Sequence, residues 1–358
     1  MLNAAVQAVH RRKKVAAIAA GCIATLLVAA CSSSSSKSSE SNASPAAGSQ
    51  VTSLKIGYVL PNMESVALLV GAKKGIFAKY GLKVTPTSLG ASSVVTSGLT
   101  SGSVDYAIAN ATQLITSVSK GADIIAVSGY TLGTGTEMIF SKQLIASKHL
   151  TASMPVSQLV HALQGGTVGL SSSAVQTEEE ALLKSYGMSS NAVKTLTVNS
   201  EATLTGLLKS GQLDAFIAGP PVPEEAASDG VGTVLVTSKT APVWNAGNAN
   251  KVVAANKPFA AAHTALTKQV VEAFHAAVEY VIENPAQAAS LAATLLQAPS
   301  AAVQTGLPLA GYTACGHMSA ALWKKTLQYG TSSGALPATA SAAEGTAWTN
   351  DYVTSQGC

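Results

Sequence analysis

From Val51 onward, short apolar runs alternate with stretches of helical period. Leu54–Leu60, Leu82–Leu89, Tyr106–Ala109 and Ile124–Ser128 read as strands, with helices expected over residues 61–79, 91–101 and 112–120. An irregular stretch, Met138–Met154, separates this unit from a second one. There the strands fall at Thr167–Leu170, Val193–Val198, Ala215–Ala218 and Val234–Val236, and helices are expected over 158–163, 175–186 and 204–209. A turn-rich passage over 242–248 leads to a strand at Lys251–Ala255 that returns to the first unit. Beyond it only helices are expected, over 267–283, 286–297, 319–328 and 346–354. Strands separated by helices of this length form βαβ units and a mostly parallel sheet, so the fold class is α/β.

An internal repeat divides this pattern in two. Leu99–Ala109 aligns with Leu208–Ala218 at a constant offset of 109 residues, and each copy carries a Ser-Gly-x-[Val/Leu]-Asp element. In each, a helix ends at a glycine, Gly102 or Gly211, which tolerates the left-handed conformation favoured there. An aspartate turn and a buried strand follow. Two such copies fit two similar lobes better than one continuous sheet.

Charge changes the picture at one place only. The chain has 22 basic and 18 acidic residues, a net charge of +4. The cluster Arg11-Arg12-Lys13-Lys14 accounts for all of that excess. The rest is neutral, with no basic stripe and no interleaving of arginine with aromatics, which excludes a nucleic-acid partner. Arg11 and Arg12 are also the chain's only arginines, so no guanidinium fork is available to clamp an anion.

That basic cluster opens an apolar run over 15–30, too short for a comfortable spanning helix and patterned as an export signal. Its end, Leu26-Leu27-Val28-Ala29-Ala30-Cys31, resembles a bacterial lipobox, which implies lipidation of Cys31 and attachment to the membrane outside the cell. Residues 1–30 are then a signal peptide and 31–50 a Ser-rich, disordered tether. With Cys22 removed and Cys31 lipidated, Cys315 and Cys358 remain, and in an oxidising compartment they are expected to pair.

The segment Gly71-Ala72-Lys73-Lys74-Gly75-Ile76-Phe77-Ala78-Lys79-Tyr80-Gly81-Leu82-Lys83-Val84 resembles a signature of periplasmic-type solute-binding proteins. The class concerned serves importers of nitrate, sulfonates, taurine and thiamine precursors. The paired Ser-Gly-x-[Val/Leu]-Asp elements, Leu163–Gly169, and Phe274 with Ile282-Glu283-Asn284-Pro285 match further landmarks. The resemblance implies a two-lobed, type II periplasmic-binding-protein-like fold, each lobe a mostly parallel sheet flanked by helices. It divides the chain into 51–140 and 249–300 for the first lobe, 141–248 for the second, and 301–358 as a helical C-terminal extension. It also implies a monomer that closes on a small organic or anionic solute, by movement near Phe140–Ser141 and Asn248–Val252. The loaded protein would dock on an ABC permease and, through it, the ATPase. A ligand sensor presenting its solute to a membrane receptor shares the fold, and an extracytoplasmic enzyme on the same scaffold is a further alternative.

Open α/β sheets bind ligands beyond the carboxyl ends of their strands. On that rule the first lobe offers Asn62, Met63 and Glu64, then Ala91, Ser92 and Ser93, then Asn110, Ala111 and Thr112. The second offers Ser172, Ser173, Ala174, Glu201, Gly219 and Pro220, and Tyr130 is placed to stack on an apolar part of the solute. Ser and Asn at helix starts also serve as plain N-caps, so capping alone explains any one turn as well as binding does. Glu64, Glu137 and Glu201 are the acids nearest the expected cleft and read as ordinary solvated carboxylates or as partners for an amine. No Gly-x-Ser-x-Gly elbow, phosphate-binding loop, His-Glu-x-x-His or Cys-x-x-Cys motif occurs. The six histidines are spread too widely to suggest a metal site, so neither catalysis nor a cofactor is expected.

Overall fold

Ten strands form two five-stranded sheets in the computed structural model, which describes residues 51–171, 173–198, 200–244 and 247–354. In the first sheet β1 (Thr52–Tyr58), β2 (Leu82–Ser88) and β3 (Tyr106–Asn110) run parallel, in the order β2-β1-β3. The second contains β5 (Glu137–Ser141), β6 (Thr167–Leu170), β7 (Lys194–Thr197), β8 (Ala215–Ala218) and β9 (Gly232–Thr237), ordered β7-β6-β8-β5-β9. The first is completed by β4 (Ile124–Leu132) and β10 (Ala249–Asn256), with β10 antiparallel between β3 and β4. Likewise β5 lies antiparallel between β8 and β9. Each lobe is thus an α/β unit with one reversed strand.

The repeat has a physical basis. Asp105 Oδ2 accepts the Lys55 backbone N–H at 2.7 Å, and Asp214 Oδ2 accepts that of Thr167 at 2.8 Å. In return the Asp105 and Asp214 N–H groups donate to the Lys55 and Thr167 carbonyls. Each aspartate therefore pins a β-strand start to its parallel neighbour, and a hydrogen bond to a charged group contributes roughly 1.5–3 kcal/mol. Gly102 and Gly211, at φ 72° and 76°, turn the preceding helices into these contacts.

The first sheet is covered on both faces. On one, helices Val66–Lys73, Thr264–Glu283 and Pro285–Leu296 bury Phe77 edge-on against Phe274, with ring centroids 5.4 Å apart. Gly71 permits that approach, because a β-carbon there would lie 2.8 Å from Ala277 Cβ. On the other face, helices Ser92–Ser101, Ala111–Ser119 and Ala320–Ser332 enclose Trp323 and Trp348, stacked at 6.1 Å. The second sheet has its own two cores, one centred on Phe140 and Trp244 and the other on Phe216 and Leu204.

Several expectations change. The helix anticipated over 61–79 is broken into a 3-10 turn at Met63–Ser65 and helices Val66–Lys73 and Ile76–Lys79, with Gly75 left-handed between the last two. The irregular stretch after residue 137 resolves into β5 and the helix Lys142–Lys148. The chain crosses between sheets over 133–136, earlier than Phe140, which is buried within the second sheet. Residues 346–354 are not helical. Ala347 and Thr349 instead exchange backbone hydrogen bonds with Ala126 on β4, whose free edge outcompetes local helix formation. Cys31 and Cys358 lie outside the described residues, and with them the lipidation site and one half of the expected Cys315–Cys358 pair.

Candidate functional site

The two crossings are tied to each other. Gly133 N–H donates to the Asn248 carbonyl at 3.0 Å, and Thr134 N–H to that of Trp244 at 3.1 Å. Beside this junction a cavity of about 390 Å³ opens between the sheets. Asn110 and Thr112, from the end of β3 and the helix after it, form one wall with Asn248 and Asn250 from the start of β10. Thr177 and Glu178, from helix Ser173–Ser185, form the opposite wall, and Tyr329, Ser333 and Gly334 close the third side.

Asn110 caps helix Ala111–Ser119, its Oδ1 accepting from the Gln113 N–H at 3.1 Å and the Thr112 hydroxyl at 2.6 Å. Those bonds occupy the carbonyl end of its amide. Glu178 is held by the Thr136 hydroxyl and by the Tyr329 hydroxyl at 3.1 Å. The Trp244 indole N–H donates to the Glu178 backbone carbonyl at 2.9 Å and fixes that turn of helix to the second crossing. Burial raises the Glu178 carboxyl to about 7, while the two donating hydroxyls pull it back. Asn248 is buried with its Oδ1 lacking a hydrogen-bond partner.

A smaller cavity of about 100 Å³ adjoins the ends of β1 and β10, lined by Tyr58, Asn62, Glu64, Ser92 and Lys251 among others. Lys251 Nζ lies 3.1 Å from Glu64 Oε2, and the Asn250 side-chain amide donates to the other oxygen of the same carboxylate. The amide of Asn62 approaches Glu64 at 3.4 Å. The lysine at the strand ends is therefore already neutralised.

Of the residues expected at the cleft, Asn62, Glu64, Ser92, Asn110 and Thr112 line these two cavities. Met63, Ala111 and Tyr130 do not, being buried in the first-lobe cores. Tyr130 packs edge-on against Phe274 and Tyr312, because its position along β4 faces the helical layer. Ala91 and Ser93 are exposed at the start of helix Ser92–Ser101 and line neither cavity, as is also true of Gly219 and Pro220. Ser173 and Ala174 begin helix Ser173–Ser185 and Glu201 begins helix Glu201–Lys209, while Ser172 lies outside the described residues. Glu137 is buried and not a solvated acid. Sequence reasoning missed Thr134, Thr177, Glu178, Asn248, Asn250 and Tyr329; of these only Thr134, just past β4, follows the carboxyl end of a strand in the parallel direction. Among the described residues no three His, Cys, Asp or Glu side chains converge as a metal site.

Residues 47–296 match the profile of the NMT1-like family. The chain belongs to this family. No curated protein matches the NMT1-like chain. Its fold is that of solved solute-binding proteins. The alkanesulfonate-binding protein SsuA of Xanthomonas axonopodis pv. citri, solved with MOPS, is 20% identical, with 80% of this chain and 94% of that chain covered at a TM-score of 0.59. A putative sulfonate-binding SsuA of Methylobacillus flagellatus KT is also 20% identical, covering 85% and 93% at 0.63. The nitrate-binding protein NrtA of Synechocystis PCC 6803 is 15% identical, covering 81% and 83% at 0.57.

Proposed function

We propose that this NMT1-like protein is the lipid-anchored, extracytoplasmic solute-binding component of an ABC importer, delivering a small polar organic solute to the permease as a monomer. The cavity between the two sheets carries this reading. It is walled by groups from both lobes, so a solute bound there touches both and favours their approach. The lipobox-like Cys31 supports the anchor, and the sulfonate- and nitrate-binding fold relatives support the importer role.

The groups at the cavity narrow the solute class. The Lys251 charge is taken up by Glu64, and Glu178 and the unpartnered Asn248 Oδ1 are acceptors. A solute bearing N–H or O–H donors, neutral or cationic, satisfies them, whereas a simple anion meets no free cation among the lining residues described. Thermal unfolding of ligand-free protein against amides, pyrimidine amines, alkanesulfonates and nitrate tests this. A ligand at about a hundred times its Kd stabilises by roughly 2.7 kcal/mol, a shift of several degrees at this size. A shift with a donor-bearing solute is expected. A shift confined to the anions overturns the solute class, and no shift with any member counts against the binding role.

A further inference from the structure

A third cavity, of about 590 Å³, lies between the second lobe and the C-terminal helix Ser300–Gly306. Its walls are mostly apolar, with Val234, Ala301, Ala302 and Leu309 among them, yet Glu137 and Glu224 also line it. Glu137 is 1% exposed and Glu224 5%. Glu137 and Glu224 hydrogen-bond each other, and Glu137 Oε2 and both carboxyl oxygens of Glu224 receive no hydrogen bond from any other side chain. Extended residues alternate in direction, so Thr136 reaches Glu178 in the cleft while Glu137 faces away from it. Gly306 brings the overlying helix close, since a β-carbon there would lie 2.9 Å from Glu224 Oε1.

Two buried carboxyls whose side-chain partner is only each other are costly to ionise, because like charges so close cannot both form. Burial and the Glu224 carboxyl hold Glu137 protonated well above the usual carboxylate range. Lys239 stands at the rim, exposed, and forms no ion pair with either acid among the described residues. Apolar walls around a few placed polar groups are the common make-up of a small-molecule site. What these carboxyls lack is a compact cation with several N–H donors.

We propose that this cavity is a binding site, separate from the cleft, for a small primary ammonium ion with an apolar body. The ammonium donates to the open carboxyl oxygens, its hydrocarbon part fills the space between the alanines and Leu309, and the proton held by the pair leaves to solvent. Binding therefore strengthens as pH rises, until the free amine loses its own proton.

Titration calorimetry with n-pentylamine and with n-pentanol, in two buffers of different ionisation enthalpy, tests the site. The wild-type protein is expected to bind the amine with net proton release, and to bind the alcohol at least tenfold more weakly. Glu137→Gln/Glu224→Gln, which keeps the shape and removes both ionisable groups, is expected to lose at least tenfold in amine affinity. Glu178→Gln, altered only in the cleft, is expected to keep it. Equal amine binding by the wild type and the double variant overturns the proposal, as does failure of the folded wild type to bind. Loss in Glu178→Gln with retention in the double variant assigns the amine to the cleft and overturns it too. The cleft reading is tested by its own solutes, so the two fail independently.

Discussion

The Tyr329 hydroxyl lies 3.1 Å from a carboxyl oxygen of Glu178, joining a helix packed on the first sheet to a helix packed on the second. The Thr177 hydroxyl, one residue earlier, donates to the Ser333 carbonyl at 2.9 Å. Tyr329→Phe removes the first of these bonds without changing shape. The variant is expected to have a larger radius of gyration by solution scattering when ligand-free, and a weaker solute complex. Unchanged scattering and affinity would show that the bond has no part in holding the lobes together.

Raised carboxyls set the pH response. Burial lifts Glu178 and Glu179 from 4.5 to about 7. Between those values the folded chain binds more protons than the unfolded one, so stability falls as pH rises through the window. His275 opposes this below its ordinary 6.5, because burial disfavours its charged form in the folded chain. The carboxyls outnumber it. Scanning calorimetry is expected to show Tm higher by a few degrees at about pH 5.5 than at about pH 8, and Glu179→Gln should flatten the difference. A Tm that falls on acidification over this range refutes the assignment.

The Glu64–Lys251 pair decides what charge the smaller cavity presents. Glu64→Gln leaves the Lys251 ammonium without its counterion at the ends of β1 and β10. The variant is expected to gain affinity for nitrate or methanesulfonate by at least about tenfold, roughly 1.4 kcal/mol, measured by calorimetry. No gain would mean that the ammonium is directed elsewhere once freed.

Asn110 separates capping from binding. Asparagine and aspartate are comparable N-caps, whereas alanine loses about 1 kcal/mol of cap energy. Asn110→Asp should therefore unfold within about a degree of wild type while changing the affinity for the solute, because the amide donor is replaced by a charged acceptor. Asn110→Ala should lose both. Equal solute affinity in wild type and Asn110→Asp would leave the residue as a cap only.

The C-terminal segment is held by Trp348, buried and stacked on Trp323, with its indole N–H donating to the Ala342 carbonyl at 3.0 Å. Trp348→Ala is expected to destabilise by about 3–5 kcal/mol, seen as a lower urea midpoint. It also uncovers the β4 edge at Ala126, so aggregation on warming should increase.

Legibility in the sequence followed the locality of the cause. The strands other than β5, the returning β10 among them, and the paired Asp105 and Asp214 turns were readable because each rests on a few consecutive residues. Asn110 was readable for the same reason, as the last residue of a strand and the cap of a helix. Glu178 was not, since it sits within a helix, and only the docking of Thr136 and Tyr329 makes it a site group. Tyr130 and Met63 were misplaced because a strand or turn position fixes height along the sheet before it fixes which side the side chain takes. The segment 346–354 looked helical in isolation and yields to backbone pairing with a strand more than two hundred residues earlier.

The position of β10 has a kinetic consequence. It is the common neighbour of β3 and β4, which have no direct pairing with each other. A chain made from its N-terminus therefore carries two unsatisfied strand edges through the whole synthesis of the second lobe, until residues 249–256 appear. Contacts of such long sequence separation slow folding, and open edges invite association in the meantime. The first lobe begins first and finishes last.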